Sequence, residues 1–287
     1  MFSPLIVIYL FLAGAGCGTF VAAVFLSWRA RSSAALKRSL GRVALPALVA
    51  SCGMVAVGAT CLMLDLGRPE LALDVLANPL GSVLSAGACA LVAFVAAAAA
   101  LVACNLGALR LGRGAAIAVK AFGCAAAVVV MVYSGLFLST IWTLPFLASP
   151  LVPALFVCSS LSCGGGALLA LPVLCDADPR PLFAEIARVD AVLLALEALA
   201  LAALVALAAN DPLSSAAAAR LLAGDLAPAF WGGLALAGIA APFALETALR
   251  APDARACACI GALLLAGGFF LRYCLCMAPF VGITSYL

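Results

Sequence analysis

Histidine is missing from all 287 residues of the chain. A haem b group inside a membrane is usually held by histidines on facing helices, so the ligands of a haem-carrying electron-transfer anchor are absent. The 13 cysteines do not replace them. No two have C-x-x-C spacing, and the pairs Cys257/Cys259 and Cys274/Cys276 lack a matching second half. We therefore interpret the cysteines as small packing residues and expect neither haem nor a metal site.

Charge is also scarce. Only 9% of the residues are charged and 68% are hydrophobic, with a mean hydropathy of +1.29. A soluble domain carries roughly 25% charged residues, so lipid must be the solvent for most of this surface. The apolar stretches show no alternation of period two, and a chain in lipid must satisfy its own backbone groups. The composition therefore predicts an all-α integral membrane protein that does not bind nucleic acid.

Eight apolar runs are each long enough to cross a hydrocarbon core about 30 Å thick. The links between them are too short for a soluble domain or a nucleotide-binding unit, so we expect a single transmembrane domain over residues 1–287. The predicted helices cover residues 5–28, 43–66, 80–106, 115–138, 151–174, 189–209, 230–249 and 256–277.

The basic residues predict the orientation. All but three of the 15 lie on one side: in the links after helices one, three, five and seven, with Lys120 just inside helix four. The exceptions are Arg68, Arg220 and Arg272. Because positive charge stays on the cytoplasmic side, both termini are expected to lie outside the cell.

A few ionisable residues fall within the apolar runs, where they usually mark a pathway or a site. Glu197 lies in helix six and Arg272 in helix eight. Their positions put them ~12 Å apart along the membrane normal, so a proton route through both would need water between them. Glu246 is close to the inner end of helix seven, where we expect its side chain to reach water.

Helices one and five each contain three glycines close together. Helix one contains Gly14, Gly16 and Gly18, and helix five contains Gly164-Gly165-Gly166. Small residues let helices approach closely in lipid, so we interpret both stretches as packing surfaces. The two helices are four apart, which is compatible with a parallel repeat of helices one to four on five to eight.

Three sequence blocks resemble the NrfD/polysulfide reductase membrane subunits, which are related to the membrane anchor of dimethyl sulfoxide reductase. The first runs from Leu64-Asp65-Leu66-Gly67-Arg68-Pro69 to Asn78-Pro79 and Ser82-Val83-Leu84-Ser85. The second contains Tyr133-Ser134-Gly135-Leu136-Phe137-Leu138, Trp142, Pro153-Ala154-Leu155-Phe156 and Ser159-Ser160-Leu161-Ser162. The third is Leu271-Arg272-Tyr273. Serine at position 134 replaces the usual threonine and keeps the hydroxyl.

The resemblance implies a membrane anchor with eight helices in two four-helix bundles. Such a subunit binds menaquinone or menaquinol within the first bundle. It exchanges electrons with an iron–sulfur subunit of the four-cluster ferredoxin type, which carries a molybdopterin catalytic subunit or a multihaem cytochrome. Iron–sulfur clusters and molybdopterin then belong only to the partners, on the outer face of a prokaryotic plasma membrane, in anaerobic respiration.

The resemblance also assigns residues. Tyr133 is expected to donate a hydrogen bond to the quinone, and Asp65 to accept protons, with Arg68 orienting it. Some family members have a quinone-binding histidine near the start of helix one; here Tyr9 is the nearest polar side chain in that helix. Glu197 and Arg272 are candidates for a proton route in the second bundle.

Two other functions fit the ionisable residues. A transporter or channel would use Glu197 and Arg272 as an intramembrane path, but it does not account for the three sequence blocks. A purely structural anchor would have no working quinone site. Copurifying iron-rich partners separate the first alternative from an electron-transfer subunit, and titration with quinol analogues separates the second.

Overall fold

A computed structural model describes residues 3–65, 83–140 and 144–280 of the chain. These residues form nine helices, and eight of them are long and apolar enough to span a membrane, which confirms the predicted fold class. The helices are α1 (Pro4–Arg29), α2 (Ala34–Asp65), α3 (Val83–Asn105), α4 (Arg113–Ser139), α5 (Leu151–Cys175), α6 (Arg180–Asn210), the short α7 (Ser215–Ala223), α8 (Pro228–Ala248) and α9 (Ala254–Met277).

Local sequence signals determine several helix ends. The Ser3 hydroxyl accepts a hydrogen bond from the amide of Leu5 at 3.2 Å and caps α1, with Pro4 in the first turn. Asp253 caps α9 in the same way, accepting from the amide of Ala256 at 2.9 Å. Asp176 ends α5 with a φ of 48°, a left-handed conformation that aspartate tolerates better than most residues.

Two helices start well before the apolar runs that predicted them. The second run was expected to begin at residue 43, whereas α2 begins at Ala34, and the sixth was expected at 189, whereas α6 begins at Arg180. Hydropathy marks the part of a helix that lies in lipid, and the polar extension before it continues the same helix. The first 13 residues of α8, Pro228–Ala240, are wound as a π-helix.

The helices contact one another in two closed rings. In the first ring α1 contacts α2, α2 contacts α3, α3 contacts α4, and α4 returns to α1. In the second, α5 contacts α6 and α9, and α8 contacts the same two helices. Helix α1 also packs against α5 and α9, so it joins the rings.

Glycine makes the junction between α1 and α5 possible. A Cβ atom at Gly18 would collide with the backbone carbonyl of Ser160, and one at Gly164 would collide with the backbone of Gly18. The two backbones therefore touch, as small-residue contacts allow in lipid. This contact confirms that the glycine-rich stretches of helices one and five are packing surfaces.

Candidate functional site

Two of the predicted quinone-site residues meet in the first ring. Tyr9 lies in the second turn of α1 and Tyr133 lies two turns before the end of α4. Both side chains are buried, and the two phenol groups lie close enough to interact. The structure thus brings together two tyrosines that are more than a hundred residues apart in the sequence.

The ring of Tyr133 occupies space that another helix leaves free. Gly87, near the start of α3, lies directly against this ring, and a Cβ atom there would overlap it. On the same helix as Tyr133, the ring of Phe137 lies 6.2 Å away, centroid to centroid. The position of the phenol therefore depends on the absence of a side chain at residue 87.

The other two predicted quinone-site residues lie at the end of helix α2. Asp65 is its last residue and is only partly buried. It forms no salt bridge with another residue of the described ranges. Arg68, its predicted partner, lies outside the residues that the structure describes.

Arg272 is buried where α9 meets α1 and α5. Its side chain is completely buried and donates four hydrogen bonds. They go from Nε to the carbonyl of Leu10 at 3.0 Å, from Nη1 to Gly268 at 2.7 Å and to the hydroxyl of Ser159 at 3.2 Å, and from Nη2 to the hydroxyl of Ser160 at 2.7 Å. Such a set of acceptors compensates for removing the guanidinium from water.

Aromatic and glycine contacts complete the site of the guanidinium. Its central carbon lies 5.1 Å from the centroid of the Phe156 ring, a cation–π distance. On the opposite helix, a Cβ atom at Gly14 would be 2.5 Å from Nη2 of Arg272. The glycine of α1 therefore makes room for the arginine of α9.

Glu197 and Arg272 are both buried in the second ring and interact electrostatically. Glu197 is 3% exposed, and Ser159, which accepts a hydrogen bond from Arg272, also interacts with Glu197. The predicted need for water between the two stays a prediction.

A second buried carboxyl group was missed by the sequence analysis. Asp190 is 2% exposed and lies ten residues inside α6, whereas the apolar run had placed it at the helix start. It shares one face of α6 with Leu194, Glu197 and Leu201, all of them buried. This i, i+4, i+7, i+11 spacing is the signal that could have found it.

Glu246 was expected to reach water, and this expectation was wrong. Its side chain is 6% exposed and points at Asp190 in the interior of the second ring. It lies in the last turns of α8, which α6 and α9 cover. The polar residues of the second ring therefore extend from Glu246 and Asp190 through Glu197 and Ser159 to Arg272.

The two rings are connected at α1. Arg272 donates to the carbonyl of Leu10, and the next residue toward the N-terminus is Tyr9, the partner of Tyr133. The tyrosine pair and the arginine are thus attached to consecutive residues of one helix. A displacement of α1 at this level moves both.

Fold and sites together define a polytopic helical membrane protein with a buried tyrosine pair in one helix ring and buried charges in the other. Residues 1–283 match the family described as Polysulphide reductase, NrfD. The chain belongs to this family, as the three sequence blocks had indicated. A search of curated proteins found no match.

Family membership establishes the coarse function. The chain is a multi-pass membrane subunit of the kind found in quinone-linked oxidoreductase complexes. Members of the family interact with quinones and typically pair with iron–sulfur and catalytic subunits.

Proposed function

We propose that this chain binds menaquinol or menaquinone at the Tyr9–Tyr133 pair and exchanges electrons with an iron–sulfur subunit on the outer face. The partner is a four-cluster ferredoxin-like protein that carries a molybdopterin catalytic subunit, or a multihaem cytochrome. The complex works in anaerobic respiration in a prokaryotic plasma membrane, and the direction of electron flow is set by the catalytic partner.

The meeting of Tyr9 and Tyr133 carries this proposal. A quinone carbonyl needs a hydrogen-bond donor, and a phenol supplies one without bringing a charge into the membrane. Tyr9 occupies the helix in which some relatives use a histidine, and its phenol group interacts with that of Tyr133. The pair lies toward the end of the first ring where α1 begins. Helix α2 passes the carbonyl of Tyr9 at Gly58 and ends seven residues later, at Asp65.

Proton release gives Asp65 its role. Oxidation of a quinol sets two protons free, and a carboxylate that is in contact with water can accept them. Asp65 is only partly buried at the end of α2, whereas Tyr133 is 5% exposed. Arg68 keeps its assignment from the sequence motif, as the residue that orients Asp65.

Replacing Tyr133 with phenylalanine tests the site. Loss of one hydroxyl leaves a buried carbonyl unpaired and costs about 1–3 kcal/mol, which is several-fold to a hundredfold in turnover at limiting quinol. Tyr9→Phe should have a similar effect. Tyr273→Phe is the control, because Tyr273 is a transmembrane tyrosine outside the pair: it is half-buried and stacks on Phe269 in the second ring.

A second assay separates the quinone site from the rest of the complex. Electron transfer from an artificial donor into the soluble subunits should be equal in the wild type and in all three variants. If Tyr133→Phe oxidised limiting quinol at the wild-type rate, the tyrosine pair would not be the quinone site.

Gly87→Ala tests the position of the phenol while keeping its hydroxyl. The added Cβ overlaps the Tyr133 ring, so the ring must move and quinol turnover should fall. Gly53→Ala is the control, because a Cβ atom at Gly53 would meet nothing within 4 Å. Equal turnover in the two alanine variants would mean that the orientation of Tyr133 is unimportant.

A proton route through Glu197 and Arg272 belongs to the same proposal. Ser159 accepts a hydrogen bond from Arg272 and interacts with Glu197, and Arg272 is bonded to the residue beside Tyr9. The competing function, a transporter or channel with a Glu197–Arg272 path, receives less support because it does not account for the family match. Purification in mild detergent distinguishes the two: an electron-transfer subunit brings iron-rich proteins with it, and a transporter does not.

A further inference from the structure

Two carboxyl groups of the second ring have no role in the proposed quinone chemistry. Asp190 of α6 and Glu246 of α8 face each other, with Ser162 of α5 beside Asp190. Asp190 is 2% exposed and Glu246 is 6% exposed, so both are more than nine-tenths buried. Both belong to helices that span the membrane.

No hydrogen bond of normal geometry reaches any of the four carboxyl oxygens from within the described ranges. Arg272, completely buried in the same ring, has the opposite character, with acceptors on every side. A buried polar group without a partner is costly, and an ionised carboxylate without one is far more so. The pair must therefore bind something that reduces its charge.

Among the described residues, no cation acts on Asp190 or Glu246, and Arg272 acts on Glu197 and Cys163 instead. Within the described residues, Asp190 interacts with Glu246 and Ser162, and Glu246 interacts with Asp190. Farther along the same face, Asp190 also acts electrostatically on Glu197 and on the thiol of Cys163. Two adjacent carboxylates without a cation repel each other strongly in a medium of low dielectric constant, so they cannot both be ionised.

A cavity borders Asp190 and extends along α6 as far as Glu185. It has a volume of about 220 Å³, and its wall includes Asp190, Leu193 and Glu185. Glu185 lies at the basic end of the helices, where it forms a salt bridge with Arg29 at 3.0 Å. On the other side, Glu197 follows Asp190 by two turns of α6, about 10 Å along the axis.

We propose that Asp190 and Glu246 bind one proton between them, and that this site exchanges protons with water through the cavity at the Glu185 end. The ligand is a proton because the pocket supplies two carboxyl groups and one hydroxyl, and a shared proton makes one carboxyl the donor that the other lacks. The site stands independently of the quinone assignment, since it follows from burial and charge alone.

Infrared spectroscopy of the detergent-purified complex counts the proton. A protonated carboxyl has a carbonyl stretching band, distinct from that of the carboxylate, which shifts when the proton is exchanged for deuterium. When the spectrum of the Asp190→Asn/Glu246→Gln double variant is subtracted from that of the wild type, the difference should contain the band of one carboxylic acid. A difference of two bands, or of none, would overturn the shared proton.

Chemical labelling identifies the residues and excludes a metal ion. Dicyclohexylcarbodiimide modifies protonated carboxyls in apolar surroundings, so peptide mass mapping of treated membranes at slightly alkaline pH should find an adduct at Asp190 or Glu246. The double variant should lack it, and Asp178→Asn, a surface control, should keep it. Lack of labelling in the wild type, or protection by sodium ions, would refute the proposal, the latter in favour of a sodium site.

The route is tested by filling the cavity. Leu193→Trp places a larger side chain in its wall, whereas Val192→Trp, one residue earlier, places the same side chain on the exposed face of α6. Deuterium exchange of the carboxyl band should slow several-fold in Leu193→Trp and stay at the wild-type rate in Val192→Trp. Equal rates in both variants would show that protons reach the pair by another path.

Discussion

Arg272 and the Asp190–Glu246 pair are two ways of burying charge in one ring of helices. Arg272 is completely buried and donates four hydrogen bonds to acceptors on α1, α5 and its own helix. The carboxyl pair is almost as deeply buried and accepts none. The first arrangement is complete without a ligand, and the second is not.

The difference separates structural from exchangeable charge. A cation that is bonded to three helices holds them in register, and its removal leaves several buried acceptors unpaired. A carboxyl pair that accepts no hydrogen bonds does not link neighbouring helices, and it must take up a proton to reduce its charge. Burial alone therefore does not identify a functional charge; the number of satisfied hydrogen bonds has to be counted as well.

Arg272→Met should be the most damaging change to the fold. It keeps much of the side-chain volume but removes all four hydrogen bonds and leaves Glu197 without its nearby positive charge. Breaking a buried charge arrangement on one side costs about 3–5 kcal/mol. We expect a large loss of thermal stability in detergent, measured by unfolding of the complex.

Two further variants test the reason for this expected loss of stability. Arg250→Met removes an exposed arginine and should unfold like the wild type. Adding Glu197→Gln to Arg272→Met should restore part of the stability, because the carboxylate left without compensation is then neutral. An Arg272→Met protein as stable as the wild type would remove the distinction between structural and exchangeable charge.

Gly14→Ala should have the next largest effect. The new Cβ atom would lie 2.5 Å from both Arg272 and the hydroxyl of Ser160, so the guanidinium or α1 must shift. Overpacking of this kind costs about 1–3 kcal/mol. Gly53→Ala, with no atom within 4 Å of its Cβ, should be neutral or slightly stabilising in the same unfolding assay. Similar stability of the two variants would mean that the packing around the Arg272 guanidinium is looser than its contacts indicate.

Neutralising the carboxyl pair should cost much less than removing Arg272. In Asp190→Asn/Glu246→Gln both groups become amides of nearly the same size, and an amide N–H can donate to the neighbouring carbonyl. We expect unfolding within about 1 kcal/mol of the wild type, on the scale of one hydrogen bond. A loss as large as that of Arg272→Met would make the pair a structural element.

The sequence predicted the spans far better than it predicted the interior of the second ring. Eight apolar runs correspond to eight membrane helices because hydropathy reports directly on contact with lipid. It reports poorly on polar helix extensions, so the starts of α2 and α6 were placed about nine residues late. That error at α6 is also why Asp190 looked like a helix terminus.

The site residues also differed in how well the sequence predicted them. A sequence motif pointed to Tyr133, and Tyr9 was predicted from its place in the first helix. The structure puts the two side chains together, and their roles remain predictions. The contacts of Arg272 and the direction of Glu246 depend on where helices cross. Crossings are set by small residues such as Gly14 and Gly164, whose partners cannot be identified from one sequence.

Removing an ion pair outside the membrane spans should have the smallest effect on stability. This pair is the exposed counterpart of the buried charges. Arg220 of α7 lies 2.5 Å from Asp225, and it also donates to the carbonyl of Met277 at 3.1 Å. The hydrogen bond from Arg220 lowers the pKa of the Asp225 carboxyl below its usual value, although the side chain of Asp225 is 63% exposed.

Because this pKa is lowered in the folded protein, the pair stabilises the fold above the ordinary pKa of aspartate and loses its effect as the pH falls through the lowered value. Asp225→Asn should therefore cost less than about 1 kcal/mol at neutral pH, as is usual for exposed pairs. Unfolding temperatures of variant and wild type should converge in acid, and the difference at neutral pH should shrink in high salt. A difference that survived both acid and salt would mean that Asp225 acts through packing and not through its charge. Arg220 would then stabilise the end of α9 through the backbone carbonyls of Met277, Ala278 and Phe280.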